Sequence, residues 1–74
     1  MNKTIYSKEH KSITEKLKMA RGKSGLDQKE VAKKLGRTQS YVSKIETGQR
    51  RIDIVQLREF AKIYKKKIDY FINL

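Results

Sequence analysis

The sequence predicts an all-α fold: five short helices packed compactly around one small core. Three observations predict it. Apolar residues recur at spacings of three and four: Ile13, Leu17 and Ala20; Val31, Ala32 and Leu35; Val42 and Ile45; Leu57, Phe60, Ala61 and Tyr64. The four Gly residues, Gly22, Gly25, Gly36 and Gly48, all fall between those segments and none inside one. No alternating apolar and polar run is long enough for a strand.

Residues 1–7 have no periodicity and read as a flexible arm, with Ile5 or Tyr6 folding back on the core. Ser7 is the N-cap of a first helix over residues 8–22, whose buried stripe is Ile13, Leu17 and Ala20. Lys11, Lys16, Lys18 and Lys23 lie off that stripe, as a solvated face or as contacts to a polyanion. His10, near the helix start, reads as solvated. Leu26 is a buried anchor. Asp27 and Glu30 form a capping box that starts the second helix, 28–35. Lys33 and Lys34 sit at its C-terminal, dipole-favoured end. Gly36 and Arg37 make the turn, and Gly36 supplies the positive φ at which a helix often ends. Thr38 caps the third helix, which runs to Glu46, and Gly48 stops it. Gln49, Arg50 and Arg51 form a basic loop. Asp53 caps the fourth helix, 54–64. Lys65, Lys66 and Lys67 break the chain before a last short helix, 68–72, carrying Ile68, Tyr70, Phe71 and Ile72.

A length of 74 residues predicts one domain, here residues 8–74 after the arm. With no Cys and one His, no disulfide, thiolate metal site or multi-histidine site is expected, and no cofactor. Carboxylates at caps and on the surface leave no convergent acid–base set, and so small a domain has little room for a cleft, so neither catalysis nor a small-molecule ligand is expected. No apolar run approaches the ~20 residues of a membrane span, and the start lacks a signal-peptide apolar region; a cytoplasmic location is expected. The 19 Lys and Arg against 8 Asp and Glu give +11. Such an excess points to a polyanionic partner, nucleic acid first and an anionic membrane surface second, with plain solubility as the alternative.

The stretch 28–47 is two short helices joined by a tight turn, the second presented outward. Ala32 is small enough to let them cross closely. The outer face of the second carries Gln39, Ser40, Tyr41, Ser43 and Lys44: hydrogen-bonding side chains, one cation, no carboxylate. An α-helix fits the major groove, where Gln39, in the first turn, can bond bidentately to adenine. Lys44 can reach guanine, a phosphate or only solvent. Ser40 and Ser43 suit bases or phosphates. The Tyr41 ring can cover a thymine methyl or lie over the backbone with its hydroxyl on a phosphate. Gln28 can set its amide and the helix N–H groups against a phosphate. Thr38 has its capping role first and a phosphate contact second. Arg37, Arg50 and Arg51 flank the motif and suit phosphates. Glu46 would be out of place on such a surface.

This segment resembles a helix-turn-helix of the phage repressor and Cro type. The matching residues are Leu26 and Gln28 at the entry, Val31-Ala32, Leu35-Gly36, Thr38-Gln39, Val42-Ser43, Ile45-Glu46 and Gly48, and the resemblance extends from about residue 13 to the end. It implies a repressor/Cro-like DNA-binding domain, a transcriptional regulator of double-stranded DNA. Bases would be read by the first turn of the third helix, with the entry Gln on a phosphate. It also implies a structural salt bridge between Arg21 and Glu46, and a homodimer formed near the C-terminus on a near-palindromic operator. The run at 68–74 holds more apolar area than one short helix can bury. Ile68 and Phe71 are expected to face inward, and Tyr70, Ile72 and Leu74 to form the dimer interface. Small members of the family include phage repressors, restriction-modification controllers and antitoxins. Three departures stand out. Arg37 occupies a usually apolar position, which predicts a less well plugged turn. Asp27 replaces Ser or Thr. Lys65-Lys66 replaces a common Gly-Val, which leaves the end of the fourth helix open. A helix-turn-helix reused as a protein–protein adaptor is the alternative, and RNA binding is a third, weakened by the lack of an aromatic platform.

Overall fold

Three helix starts are each fixed by the residue preceding the first turn. Asp27 Oδ1 accepts from the Glu30 N–H at 2.8 Å, and Glu30 Oε1 accepts from the Asp27 N–H at 2.9 Å. Asp53 and Gln56 build the same reciprocal box at 2.7 and 3.0 Å, and Thr38 Oγ1 accepts from the Tyr41 N–H at 3.1 Å. Each cap of this kind stabilises its helix by about 1 kcal/mol. The computed structural model describes residues 8–72. In it these caps open α2 (Gln28–Leu35), α3 (Gln39–Glu46) and α4 (Ile54–Tyr64), between a long α1 (Lys8–Ser24) and a one-turn α5 (Ile68–Phe71). The described residues contain no strand, and none of their helices is long and apolar enough to cross a membrane. The N-terminal arm, the Ser7 cap and Leu74 lie outside the described residues.

Helix ends follow the same logic. Gly36 takes φ 70°, so that the Arg37 N–H reaches back to the Ala32 carbonyl at 2.9 Å and α2 closes. α4 closes identically, with the Lys66 N–H on the Ala61 carbonyl at 2.9 Å, but its left-handed residue is Lys65 at φ 56°. A side chain there costs about 1–2 kcal/mol, and Lys65 bears it in the place a Gly would fill. α1 runs two residues beyond the expected end. Gly22 therefore lies inside a helix and not between helices, and the chain turns only at Gly25.

α2 packs on α3, α1 lies against α3, α4 and α5, and α4 against α2 and α5. Leu17, Val31, Val42, Ile45, Phe60 and Phe71 are the large side chains sealed at the centre. The buried stripe of α1 is His10, Thr14, Leu17 and Ala20, and Ile13 packs at its margin. Two expectations change here. The stripe passes through Thr14, whose hydroxyl is satisfied locally by donating to the Lys11 carbonyl at 2.9 Å. His10 is not solvated but buried, its ring set beside Gly48.

At the other end Phe71 is buried, Ile68 is half-buried, and Tyr70 and Ile72 also pack partly against the core. The Tyr70 ring meets Phe71 edge-on at 4.9 Å, with the Lys66 ammonium 4.8 Å from its centroid.

Candidate nucleic-acid interface

The side of α3 away from the core presents Gln39, Ser40 and Lys44, all exposed, with Ser43 half-buried. Glu46, the one acid of α3, is 2% exposed. Its Oε2 accepts from Arg21 Nε at 2.7 Å and its Oε1 from Arg21 Nη2 at 3.1 Å. The same Oε1 accepts from Gln28 Nε2 at 2.9 Å, and Gln28 Oε1 in turn faces Gln39 Nε2 at 3.4 Å. The carboxylate is thus removed from the exposed face, and the hydrogen bonds that Arg21 donates to Glu46 push the guanidinium pKa up although burial opposes it. One of the two amide hydrogens of Gln28 is spent on Glu46, so Gln28 sits as a strut between the buried acid and the exposed Gln39.

Tyr41 is not on the outer face. It is 8% exposed, its ring stacked at 6.3 Å and 13° on Phe60, and its hydroxyl is buried with no hydrogen-bond partner among the described residues. Burial pushes that hydroxyl's pKa up, with Arg37 acting against it. Tyr41 stands four residues before Ile45, one helical turn, so it shares the core side with Val42 and Ile45. That spacing was the signal for its burial.

The turn between α2 and α3 is also better covered than an arginine in an apolar position suggested. The Arg37 guanidinium carbon lies 4.8 Å from the Tyr41 ring centroid, and that of Arg50 lies 5.1 Å from it. Cation–π contact lets the charged group take the place of a hydrophobic plug. Arg37, Thr38, Ser40, Tyr41, Lys44 and Arg50 line a single open recess of about 400 Å³. Arg51 lines a second recess with Gln49, Ile52, Asp53 and Gln56, and Arg50 borders both recesses. The residues expected at the site therefore divide three ways. Gln28 and Gln39 join Arg21 and Glu46; Arg37, Thr38, Ser40, Lys44 and Arg50 share the recess over Tyr41; Arg51 meets that group only through Arg50. Tyr70 and Ile72 are on α5, packed on α1 and α4. Nothing in the sequence pattern marked the exposed Ile54 and Val55, 53% and 61% accessible at the start of α4.

A helix-turn-helix family model matches residues 17–71. The chain belongs to this family, the Cro/C1-type helix-turn-helix proteins, whose members are DNA-binding regulators. No curated protein matches the chain at a significant level.

Proposed function

We propose that the chain is a sequence-specific transcriptional regulator that places α3 in the major groove of double-stranded DNA and acts as a homodimer on a near-palindromic operator. One observation carries this reading. The only carboxylate of α3 is buried against Arg21, which leaves a face of Gln39, Ser40 and Lys44 with cations on either side. A face free of carboxylates, on a chain of charge +11, suits contact with phosphates and base edges.

In this reading Gln39, Ser40, Ser43 and Lys44 meet base edges. Gln28, Arg37, Thr38, Arg50 and Arg51 meet the backbone. Tyr41 acts from beneath, holding Arg37 and Arg50, and does not itself touch the groove. One helix-turn-helix covers too few base pairs for a selective site. A two-fold pair through α5, with Tyr70 and Ile72, would set two copies of α3 about 34 Å apart, one DNA turn. Such a regulator works in the cytoplasm, on the nucleoid.

Selection of bound sequences from random duplexes, followed by affinity measurement across salt concentrations, tests the proposal. The expected result is an enriched two-fold motif whose log affinity falls by ~0.9 for each phosphate neutralised, per unit of log salt. No enrichment and no duplex affinity would favour a protein–protein adaptor instead.

A further inference from the structure

We infer that Arg37 and Arg50 act as one jaw on a single backbone phosphodiester of the DNA, with the Tyr41 ring as their common platform. The inference rests on the DNA-binding reading above and deepens it.

The two guanidinium groups come from different segments, the turn before α3 and the loop after it, and both stop on the same ring, at 4.8 and 5.1 Å. Their backbones are anchored as well. The Arg37 N–H donates to the Ala32 carbonyl at 2.9 Å, and the Arg50 N–H to the Lys44 carbonyl at 3.2 Å. Gathering two cations raises their mutual repulsion, and no carboxylate among the described residues lies within ion-pairing distance of either. The acids that bear on Tyr41, Glu59 and Asp53, act on it through charge alone and not through a hydrogen bond. The ring offsets part of the repulsion, and an anion between the cations would offset more.

Arginine suits this arrangement better than lysine. A guanidinium can lay its planar face on an aromatic ring and still turn its N–H edge toward a phosphate, whereas an ammonium has no separate face and edge. The recess in front of the pair is also lined by Thr38, whose hydroxyl accepts from the Tyr41 N–H and keeps its own hydrogen to donate, while the Tyr41 hydroxyl stays buried beneath. Two guanidinium edges and this hydroxyl suit the two unesterified oxygens of one phosphodiester. The turn and the loop then grip the backbone at one point, and this fixes the register of α3 along the groove.

The test is a salt titration of duplex binding for the wild type, Arg37→Ala, Arg50→Ala and the double variant, with circular dichroism to confirm that each is folded. If one phosphate is shared, the double variant loses about 0.9 of the log–log salt slope in total, and each single variant loses less, because the remaining arginine still neutralises the phosphate. A loss of about 1.8 in the double variant, with about 0.9 in each single one, would mean two separate phosphates and would overturn the jaw. A scan of the duplex with single neutral methylphosphonates gives a second readout. One position should make both substitutions silent; two different positions would again overturn the inference. The variant with lysine at both positions keeps the charge but loses the stacked fork, so it should retain the slope and bind several-fold more weakly; binding equal to the wild type would remove Tyr41 as a platform. A wild type with no salt-dependent duplex binding would sink the DNA reading and the jaw together, whereas additive slopes would sink the jaw alone.

Discussion

Arg21 and Glu46 are joined by two hydrogen bonds, 2.7 and 3.1 Å long, and are unequal partners: the Glu46 side chain is 1% exposed and that of Arg21 22%. Arg21 Nη1 also donates to the Leu26 carbonyl at 3.3 Å, so one guanidinium ties the end of α1 to the chain entering α2 and to the end of α3. Gln28 adds a third donor to the carboxylate, from the first residue of α2.

That inequality sets the first prediction. Arg21→Ala strands a fully buried carboxylate and should cost about 3–5 kcal/mol. Glu46→Gln leaves an arginine that still reaches water and a side chain that still accepts a hydrogen bond, so about 1–3 kcal/mol is expected. Urea denaturation of both variants checks the order. Equal costs, or a larger cost for Glu46→Gln, would mean that the carboxylate is wetter than its burial indicates.

The helix ends give a second prediction through two glycine exchanges. Gly22 lies within α1, with nothing within 4 Å of where a Cβ would stand, so Gly22→Ala should stabilise by about 0.5–1 kcal/mol. Lys65→Gly removes the left-handed strain at the end of α4 and should stabilise by about 1 kcal/mol. Higher denaturation midpoints with unchanged m-values are expected for both. A lower midpoint for Lys65→Gly would show that its side chain contributes more than its backbone conformation costs.

Alkaline pH offers a third prediction. Burial pushes the Tyr64 hydroxyl well above the ordinary tyrosine value of 10.0, and Tyr41 moves the same way. The unfolded chain loses these protons near pH 10, while the folded chain keeps them. The stability they carry is therefore complete below pH 10 and is lost as pH rises above it. Tyr64→Phe should reduce the decline. It also removes a buried hydroxyl that has no hydrogen-bond partner among the described residues, so neutral-pH stability should hold or rise. Denaturation at pH 7 and at several values above 10 measures both effects, and a decline as steep in Tyr64→Phe as in the wild type would contradict this assignment.

The dimer is a fourth. Ile72 is half-buried against its own core and leaves apolar surface for a partner. Sedimentation should find the wild type dimeric at concentrations where it binds an operator, and Ile72→Glu monomeric yet helical by circular dichroism. A wild type that stays monomeric there, or an Ile72→Glu variant that binds an intact operator as tightly as the wild type, would refute the α5 interface.

What the sequence reveals follows the range of the interaction. Capping is local, so Asp27, Thr38 and Asp53 mark three helix starts to the residue. The left-handed turn at Gly36 is equally local, but the one at Lys65 is hidden because lysine does not advertise it. Face assignments depend on phase. Tyr41, four residues before Ile45, and His10, seven before Leu17, both had core spacing, yet polar atoms on these side chains suggested solvent. The contacts that shape the site are non-local. Gln28 meets Glu46, and Arg37 and Arg50 meet on Tyr41, because α2, α3 and the following loop are folded together, which no spacing along the chain records.

If α3 reads bases, Gln39 in its first turn is the residue whose loss should show it. Affinities of the wild type and Gln39→Ala should be measured, at fixed salt, on the selected operator and on random duplex. The expected result is a loss of about 1–3 kcal/mol on the operator, relaxed preference at one base pair, and no change on random duplex. Equal losses on both duplexes would place Gln39 on the backbone and contradict base reading by the first turn of α3.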